Sequence, residues 1–400
     1  METVLAQDAR LEADRIHDTL RREIVPRLPE LAGCRSMPEL LRHPVYCALE
    51  GKIRLVLETT QAGSYADGRA PARDRYRILC WNIERGAQLE AQLHEFRTHP
   101  YLRGCDVLLL VETDAGMARS ANRDVAREFA RHLGMHYAFL PCYLSLVKGS
   151  GVEREAVGAN ELGLHGNAIL SRYPIRRPRA VQLRNGIDKM ACRERRIGSQ
   201  KALVAEIDLP GLPLAVACVH LDANSSQRHR ADQMSEVVAA LPASGAALIG
   251  GDWNTTTFDS SSAFRAILGY GLRVLMGAGN VIRNHYLHPY RRFEKELFGR
   301  LEAAGFDYLR SNRAGEPTIR YTVNDERAFK NLAEWVPLWC FPFIRWALRN
   351  HGGGCPLKID WFATRGLEAQ NPVILDEFRE GRAVPLSDHD AIGLEVGVAS

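Results

Sequence analysis

The chain has 400 residues, of which 46% are hydrophobic and 25% are charged, a balance that argues against extensive disorder. Its 52 Lys and Arg residues against 48 Asp and Glu leave a net charge of +4. That excess is too small to imply nucleic-acid binding by itself, although it does not oppose a phosphate-bearing substrate.

The nine cysteines include no C-x-x-C pair, and several of them, such as Cys80 and Cys218, lie inside apolar runs. This usage favours buried free thiols in a reducing compartment over a disulfide framework or a zinc site. The N-terminus is charged from Asp8 onward and lacks the apolar core of a signal peptide. No stretch reaches the ~20 apolar residues that span a bilayer. We therefore expect a cytoplasmic protein without a transmembrane segment.

Residues 1–74 are predicted to be an N-terminal helical extension with a linker. Apolar residues recur at roughly helical spacing between Leu11 and Leu28, among charged side chains. Residues 61–74 are rich in Gly, Ala and polar residues, which is typical of a loop or linker. A role in packing or in binding a partner is the default expectation for this arm.

Residues 75–400 are predicted to form the main domain. Its first part alternates apolar strands, ending near Asn82 and Glu112, with amphipathic helices. Further on, residues 202–207 and 214–219 flank a Pro-Gly turn and predict a β-hairpin. This mixture of hairpins and strand–helix units predicts an α+β fold of stacked sheets with helices outside.

An irregular, aromatic-rich insertion is expected at about residues 265–350. Its aromatic tract, residues 332–348, contains Pro337 and Pro342, which rule out a spanning helix. The tract could be a substrate lid, a peripheral membrane contact or a protein-binding patch, and simple packing onto the main domain is the alternative.

The stretch Gly250-Gly251-Asp252-Trp253-Asn254 follows a short apolar strand. The glycines allow a tight turn or a close approach to a ligand. Asp252 and Asn254 are two residues apart, so both face the same side if the extended geometry persists. A carboxylate that accepts a proton beside an amide that holds a water or phosphate oxygen is half of a hydrolytic site. The alternative is a simple turn.

Polar groups lie just after or within six predicted apolar strands, and neighbouring strand ends converge in space. They are Asn82, Glu112, His220, Asp252 with Asn254, Asp360, and Asp388 with His389. Oxygen ligands such as Glu112, Asp388 and the Asn82 amide suit Mg²⁺. Two histidines with acids in reach supply proton transfer at neutral pH or stabilise charge developing on a phosphate.

These residues resemble the motifs of the endonuclease/exonuclease/phosphatase superfamily, the DNase I-like metal-dependent phosphoesterases. The matching segments occur in the order of the family, between about residues 75 and 397, and are Trp81-Asn82, Val111-Glu112, Gly166 to Arg172, Val219-His220-Leu221, Gly251 to Asn254, Ile359-Asp360-Trp361 and Ser387 to Ile392. The resemblance implies a four-layer α/β/β/α sandwich of two packed mixed β-sheets flanked by helices, with the site at one edge.

The resemblance also implies a metal site. Glu112 would be the principal ligand of Mg²⁺, or of Mn²⁺ in its place, with Asn82 and Asp388 nearby. The metal would neutralise charge on the leaving oxygen while water attacks phosphorus in line.

The remaining residues would act on water and phosphate. By the same resemblance, Asp252 would orient or deprotonate the attacking water, and Asn254 would hold a phosphate oxygen. His389 would contact the scissile phosphate, with Asp360 behind it to fix its tautomer and stabilise its protonated form. His220 would be a second group on the phosphate side.

The sequence thus predicts a Mg²⁺-dependent phosphoesterase acting on a phosphodiester or a phosphomonoester. The alternative is a non-catalytic binding or scaffold protein that keeps the fold. The substrate stays open among nucleic acids, phosphoinositides, phospholipids and small phosphoesters.

Two other features lie outside this constellation. Arg193, Arg195 and Arg196 form a basic run that would suit bidentate phosphate contacts or, alternatively, a solvated loop. His285 and His288 have neither Cys nor acidic ligands of the zinc type nearby, which argues against a second metal site.

Overall fold

The computed structural model describes residues 2–68, 70–322 and 340–398. The α-helices within these ranges are α1 Glu2–Thr19, α2 Met37–Leu40, α3 Pro44–Glu58, α4 Leu89–Thr98, α5 Pro100–Arg103, α6 Val125–Leu133, α7 Gln227–Ala240, α8 Ala263–Leu275, α9 Ala278–Val281, α10 Lys295–Ala303 and α11 Phe341–Leu348. None of the described helices has the length and apolar composition that crossing a bilayer requires.

The strands within the described ranges are β1 Gln61–Ser64, β2 Tyr76–Arg85, β3 Val107–Ala115, β4 His136–Ser145, β5 Leu164–Ser171, β6 Ile175–Gln182, β7 Arg196–Gly198, β8 Lys201–Leu209, β9 Leu212–His220, β10 Ala247–Asp252, β11 Ile319–Thr322, β12 Gly354–Leu357, β13 Asp360–Arg365, β14 Leu367–Leu375 and β15 Ala391–Val398.

Two large mixed sheets carry the fold. The eight-stranded sheet has the order β1-β4-β5-β3-β2-β15-β14, with β7 paired to β4, and the five-stranded sheet has the order β13-β10-β9-β8-β6. In each sheet one central pair is parallel, β2 with β3 and β9 with β10, and their neighbours are antiparallel. The predicted hairpin is confirmed as β8 and β9, which pair from Leu203–Cys218 to Leu209–Leu212.

Three apolar cores hold four layers together. Side chains such as Ile78, Leu109 and Leu248 pack between the two sheets. The helices α1, α3, α4 and α6 cover the outer face of the eight-stranded sheet. The helices α7 and α10 cover the outer face of the five-stranded sheet, around Trp361. The predicted α+β sandwich of four layers is therefore confirmed.

Part of the predicted linker is a strand. Residues 61–64 form β1, which pairs antiparallel with β4 from Gln61–Phe139 to Ser64–His136 and so extends the eight-stranded sheet. The Lys201 ammonium is buried and donates hydrogen bonds to the carbonyls of Leu57 and Pro141. The composition of this segment is typical of a loop. A four-residue edge strand can nevertheless be built from small residues, because the partner strand supplies the hydrogen bonds.

Other expectations change in detail. Residues 118–133 are amphipathic and predict a helix, but α6 begins only at Val125, where the Asp124 side chain caps it by accepting from the Arg127 N–H at 3.2 Å. Of the aromatic tract, residues 332–339 lie outside the described residues. Phe343 and Trp346 on α11 are exposed. All nine cysteines are free thiols, and six of them are buried.

Candidate active site

Three of the predicted residues are direct neighbours at one edge of the five-stranded sheet. Asp252 lies opposite His220 in the parallel β9–β10 pairing and opposite Asp360 in the antiparallel β10–β13 pairing. The three side chains therefore come from adjacent strands at one level. Gly251 makes this possible because a Cβ there would lie 1.7 Å from the Val219 carbonyl oxygen. In the structure, Gly251 therefore allows a close approach of β10 to the neighbouring strand β9.

Asn82 and Glu112 come from the adjacent parallel strands β2 and β3 of the other sheet. Both strands are irregular here: the β2–β3 register shifts between Asn82 and Arg85, and the β3–β5 register shifts between Leu110 and Thr113. Glu112 itself has φ of 54°. Bulges of this kind redirect side chains at the end of a strand. The Asn82 amide donates to Glu112 Oε1 at 3.2 Å.

His389 lies between the two sheets, just before β15. Its backbone N–H donates to Ser387 Oγ at 3.1 Å, and its carbonyl accepts from Trp81 Nε1 at 3.0 Å. Ser387 Oγ in turn donates to the Asn82 carbonyl at 2.6 Å. These bonds tie the loop to β2, so the imidazole is held in a fixed position over the strand ends.

One oxygen, Asp252 Oδ2, lies at the centre of the group. It is 3.3 Å from Asn82 Nδ2, 3.6 Å from His220 Nε2 and 3.8 Å from His389 Nε2. Burial and the neighbouring Asp360 carboxylate raise the pKa of Asp252, against the lowering effect of His389. A buried carboxylate with a raised pKa is a stronger proton acceptor than an exposed one.

The Asp360 carboxylate keeps His389 protonated. His389 Nδ1 lies 2.9 Å from Asp360 Oδ2, and both residues are buried. Burial alone would lower the pKa of His389, but the charges of Asp360 and Asp252 outweigh it and raise that pKa well above its ordinary value. At neutral pH the imidazole therefore carries a positive charge, with its Nε2–H turned towards Asp252.

His220 has the opposite preference. Burial lowers its pKa to about 4, and the Glu112 carboxylate, with Oε1 4.0 Å from Nε2, offsets only part of that effect. For Glu112 the positive charge of Arg85 is the largest effect opposing burial, and the pKa lies well below its usual range. The site thus contains a neutral and a cationic histidine on the two sides of Asp252.

The other two predicted residues are placed differently. Asn254 is buried, and its amide donates to the Leu221 carbonyl at 2.9 Å, while its backbone N–H donates to Asp252 Oδ1 at 2.9 Å. One of its two amide protons is thus engaged in holding the turn. Asp388 is exposed, and within the described part of the chain its carboxylate makes neither a hydrogen bond nor an ion pair.

The arrangement of acids and histidines at this edge has a counterpart in known proteins. A model of the Endonuclease/Exonuclease/phosphatase family matches residues 79–389. The chain belongs to this family. Its members are hydrolases acting on phosphoester bonds and generally depend on a divalent metal ion, so this protein is a phosphoesterase of that type.

A solved structure of the family has the same fold. An endonuclease/exonuclease/phosphatase from Beutenbergia cavernae superposes with a TM-score of 0.50 and 16% identity, covering 82% of this chain and 72% of that one. For an AP endonuclease from Archaeoglobus fulgidus the TM-score is 0.45 at 13% identity, with coverages of 80% and 98%. For the catalytic domain of human Nocturnin it is 0.45 at 15% identity, with coverages of 82% and 97%. No curated protein matches the chain.

Two groups of residues could hold the metal ion of the family. Among the described residues, Asp252, Asp360 and His389 bring ligand atoms within 4.8 Å of one another. A protonated imidazole has no lone pair to give, however, and His389 Nδ1 is already bonded to Asp360. The alternative is Glu112, which stays ionised and is 17% exposed, so it fits a hard cation better.

Asn82 takes part in this site through its amide nitrogen. The Asn82 Oδ1 accepts from the Glu84 N–H at 3.1 Å, and Nδ2 faces both Glu112 and Asp252. In this arrangement the amide orients the two carboxylates and its oxygen is turned away from Glu112.

The sequence did not reveal the two arginines, Arg85 and Arg119, that lie on the Glu112 side of the site. Arg85 Nη1 lies 3.5 Å from Glu112 Oε2, and Arg85 Nε lies 2.9 Å from Glu153 Oε1. Behind it, Arg119 pairs with Asp114, Glu153 and Glu194 in a nearly buried network. The one sequence signal for Arg85 was its position in Glu84-Arg85-Gly86, shortly after Asn82. In the structure these three successive residues have positive φ.

Proposed function

We propose that the protein is a Mg²⁺-dependent phosphoesterase that hydrolyses a phosphodiester or a phosphomonoester by in-line attack of an activated water. The observation that carries the proposal is the convergence of Asn82, His220 and His389 on Asp252 Oδ2 within 3.8 Å. A single proton acceptor lies there between two histidines in different protonation states.

Asp252 would hold the attacking water and accept its proton. Its Oδ1 is occupied by the Asn254 N–H, which fixes the carboxylate plane and leaves Oδ2 directed at the site. The raised pKa of Asp252 makes proton transfer from water less unfavourable.

His389 would bind a non-bridging oxygen of the scissile phosphate through Nε2–H. Asp360 accepts the Nδ1–H, so the charged tautomer and the ring orientation are fixed before substrate arrives. Preorganised charge of this kind stabilises the developing negative charge of the transition state. His220 and the second amide proton of Asn254 would complete the phosphate contacts.

Glu112 would be the principal ligand of Mg²⁺ or Mn²⁺, with Asn82 orienting it. When bound, the ion would supply positive charge to the leaving oxygen. Asp388, which is exposed and adjacent to His389 in the chain, would be a further ligand of the ion.

A non-catalytic scaffold is not favoured. Such a protein has no need for buried ionisable groups, because each buried carboxylate or imidazole destabilises the fold unless it is paired. Here Asp252, Asp360 and His389 are all buried next to one another.

The proposal is tested with a panel of DNA, RNA, phosphoinositides and phospholipids, together with bis(p-nitrophenyl) phosphate, assayed with Mg²⁺ and with EDTA. We expect turnover of at least one substrate, abolished by EDTA and by His389→Ala, since that variant loses the phosphate-binding cation. An exposed histidine, changed in His94→Ala, serves as the control and should leave turnover intact.

Failure on the whole panel, or hydrolysis that persists in EDTA, would contradict the proposal. So would a folded His389→Ala protein with wild-type turnover.

A further inference from the structure

A cavity of about 620 Å³ lies between the N-terminal extension and two loops of the main domain. The loops connect β4 to β5 and β6 to β7. Its lining contains cationic side chains and no carboxylate, and these cationic residues are Arg35, Lys148, Arg154, Arg193 and Arg195. Val147, Ala191 and Cys192 complete the lining. The basic run therefore does more than form a solvated loop.

The cavity is built into the fold. Arg35 comes from the extension, and two residues later the Met37 N–H donates to Asp188 Oδ2 at 2.7 Å, which joins the extension to the β6–β7 loop. Met190 of the same loop is fully buried in the core that α1 and α3 share with the eight-stranded sheet. The extension and the β6–β7 loop are thus held together by a hydrogen bond at Asp188 and by the packing of Met190.

Arg195 is half-buried, and two of its guanidinium nitrogens lack hydrogen-bond partners within the described ranges. Its Nε and Nη1 atoms are buried and make no hydrogen bond with any described residue. Burial and the charges of Arg35 and Arg154 lower its pKa, so the surroundings disfavour its charge. By contrast, Arg119, whose side chain is more deeply buried, makes ion pairs with three carboxylates. Unpaired buried donors of this kind are expected where a ligand supplies the acceptors.

Neighbouring residues in the same loops explain why the positive charge is not cancelled. Glu153 and Glu194 turn inwards and pair with Arg119. The next residues along the chain, Arg154 and Arg195, line the cavity. Glu153 and Glu194 are therefore paired with Arg119, and the arginines that follow them in the chain line the cavity.

We propose that this cavity binds a compact, multiply phosphorylated anion at a site separate from the catalytic centre. Guanidinium groups match phosphate oxygens in bidentate geometry. The volume lies within the ~300–1,000 Å³ typical of small-molecule sites. A nucleic-acid strand, in contrast, is usually followed by an extended basic groove with aromatic side chains, whereas these cations surround one concavity.

The binding test uses inositol hexakisphosphate and pyrophosphate as probes, titrated calorimetrically into the full chain in EDTA so that hydrolysis does not interfere. We expect wild type to bind, and Arg195→Gln to bind about tenfold more weakly or worse, because charge-assisted contacts are the strongest hydrogen bonds lost. Arg310→Gln, at an exposed arginine paired with Asp307, should match wild type.

Thermal unfolding separates a ligand site from a structural role. The probes should raise the Tm of wild type and leave that of Arg195→Gln nearly unchanged. Without probe, Arg195→Gln should be at least as stable as wild type, since it removes a positive charge that the neighbouring Arg35 and Arg154 disfavour. A structural arginine would give the opposite result, a lower Tm that no probe restores.

The source of the anion is distinguished by vesicles of phosphatidylcholine with and without a phosphoinositide bisphosphate. Capture of wild type by the phosphoinositide vesicles, blocked by pyrophosphate, would identify a lipid headgroup. Binding of the soluble probes without vesicle capture would identify a free polyphosphate. Equal probe affinity in wild type and Arg195→Gln would overturn the proposal. So would displacement of the probes by a single-stranded oligonucleotide that binds more tightly than they do.

Discussion

Asp252 lies between two histidines, each close to a carboxylate, but the two imidazoles have different protonation states. On one side, Asp360 and Asp252 raise the pKa of His389 well above its ordinary value. On the other, burial lowers the pKa of His220 to about 4, although the Glu112 carboxylate lies 4.0 Å away. The difference arises from hydrogen bonding and balance of charge: His389 is bonded to a carboxylate, whereas Glu112 is already compensated by Arg85.

This contrast assigns different chemistry to the two sides. The His389 side keeps a cation in place for an anionic phosphate, and its acids hold that cation. The Glu112 side keeps an ionised carboxylate next to a neutral imidazole, which suits a metal ion. The carboxylates of Asp360 and Glu112 therefore have different roles, because Asp360 is bonded to His389 and Glu112 is paired with Arg85.

The largest effect is expected from Asp360→Asn, which removes the charge that holds His389 protonated. We expect the pKa of His389 to fall towards its ordinary value and turnover to drop by about a thousandfold, within the range for a positioned acid–base partner. NMR titration of the imidazole and steady-state kinetics measure the two changes.

The control is Asp208→Asn, at an exposed carboxylate paired with Arg176. It should change neither quantity. An unaltered His389 titration in folded Asp360→Asn would show that the pair does not set the charge, and the contrast between the two histidines would then have another cause.

A smaller effect concerns stability at acid pH on the His220 side. The folded-state pKa of His220, about 4, lies below the unfolded value of about 6.5. Its contribution to stability is therefore complete above pH 6.5 and is lost as the pH falls through about 4. In EDTA, the free energy of unfolding should fall by up to about 3 kcal/mol over this window through His220 alone.

Urea denaturation at several pH values measures this loss. His220→Gln should show a flatter pH dependence than wild type, because the amide does not titrate. The exposed His94→Gln should keep the wild-type slope. Identical slopes in all three proteins would show that His220 is not held neutral by burial.

The sequence allowed the strand-borne part of the site to be predicted because strand ends have a simple geometry. His220 and Asp252 end their strands and Asp360 begins the antiparallel neighbour, so their proximity follows from the pairing. Glu112 and Asn82 were found in the same way, although their orientation depends on bulges.

Residues in loops could not be placed from the sequence. For Arg195 the sequence left phosphate contacts and a solvated loop open, because the burial of its side chain depends on how the extension packs against the β6–β7 loop. Asp388 is exposed, and its expected place beside Glu112 as a metal ligand stays a prediction. The cytoplasmic location and the role of residues 332–348 as a membrane or protein contact stay predictions.

Binding of Mn²⁺, followed by the loss of its free EPR signal, tests the assignment of the metal to the Glu112 side most directly. The titration compares wild type, Glu112→Gln and Asp360→Asn. We predict that Glu112→Gln weakens Mn²⁺ binding by about a hundredfold or more, while Asp360→Asn binds nearly as wild type does. The reverse order would place the metal among Asp252, Asp360 and His389 and contradict the account.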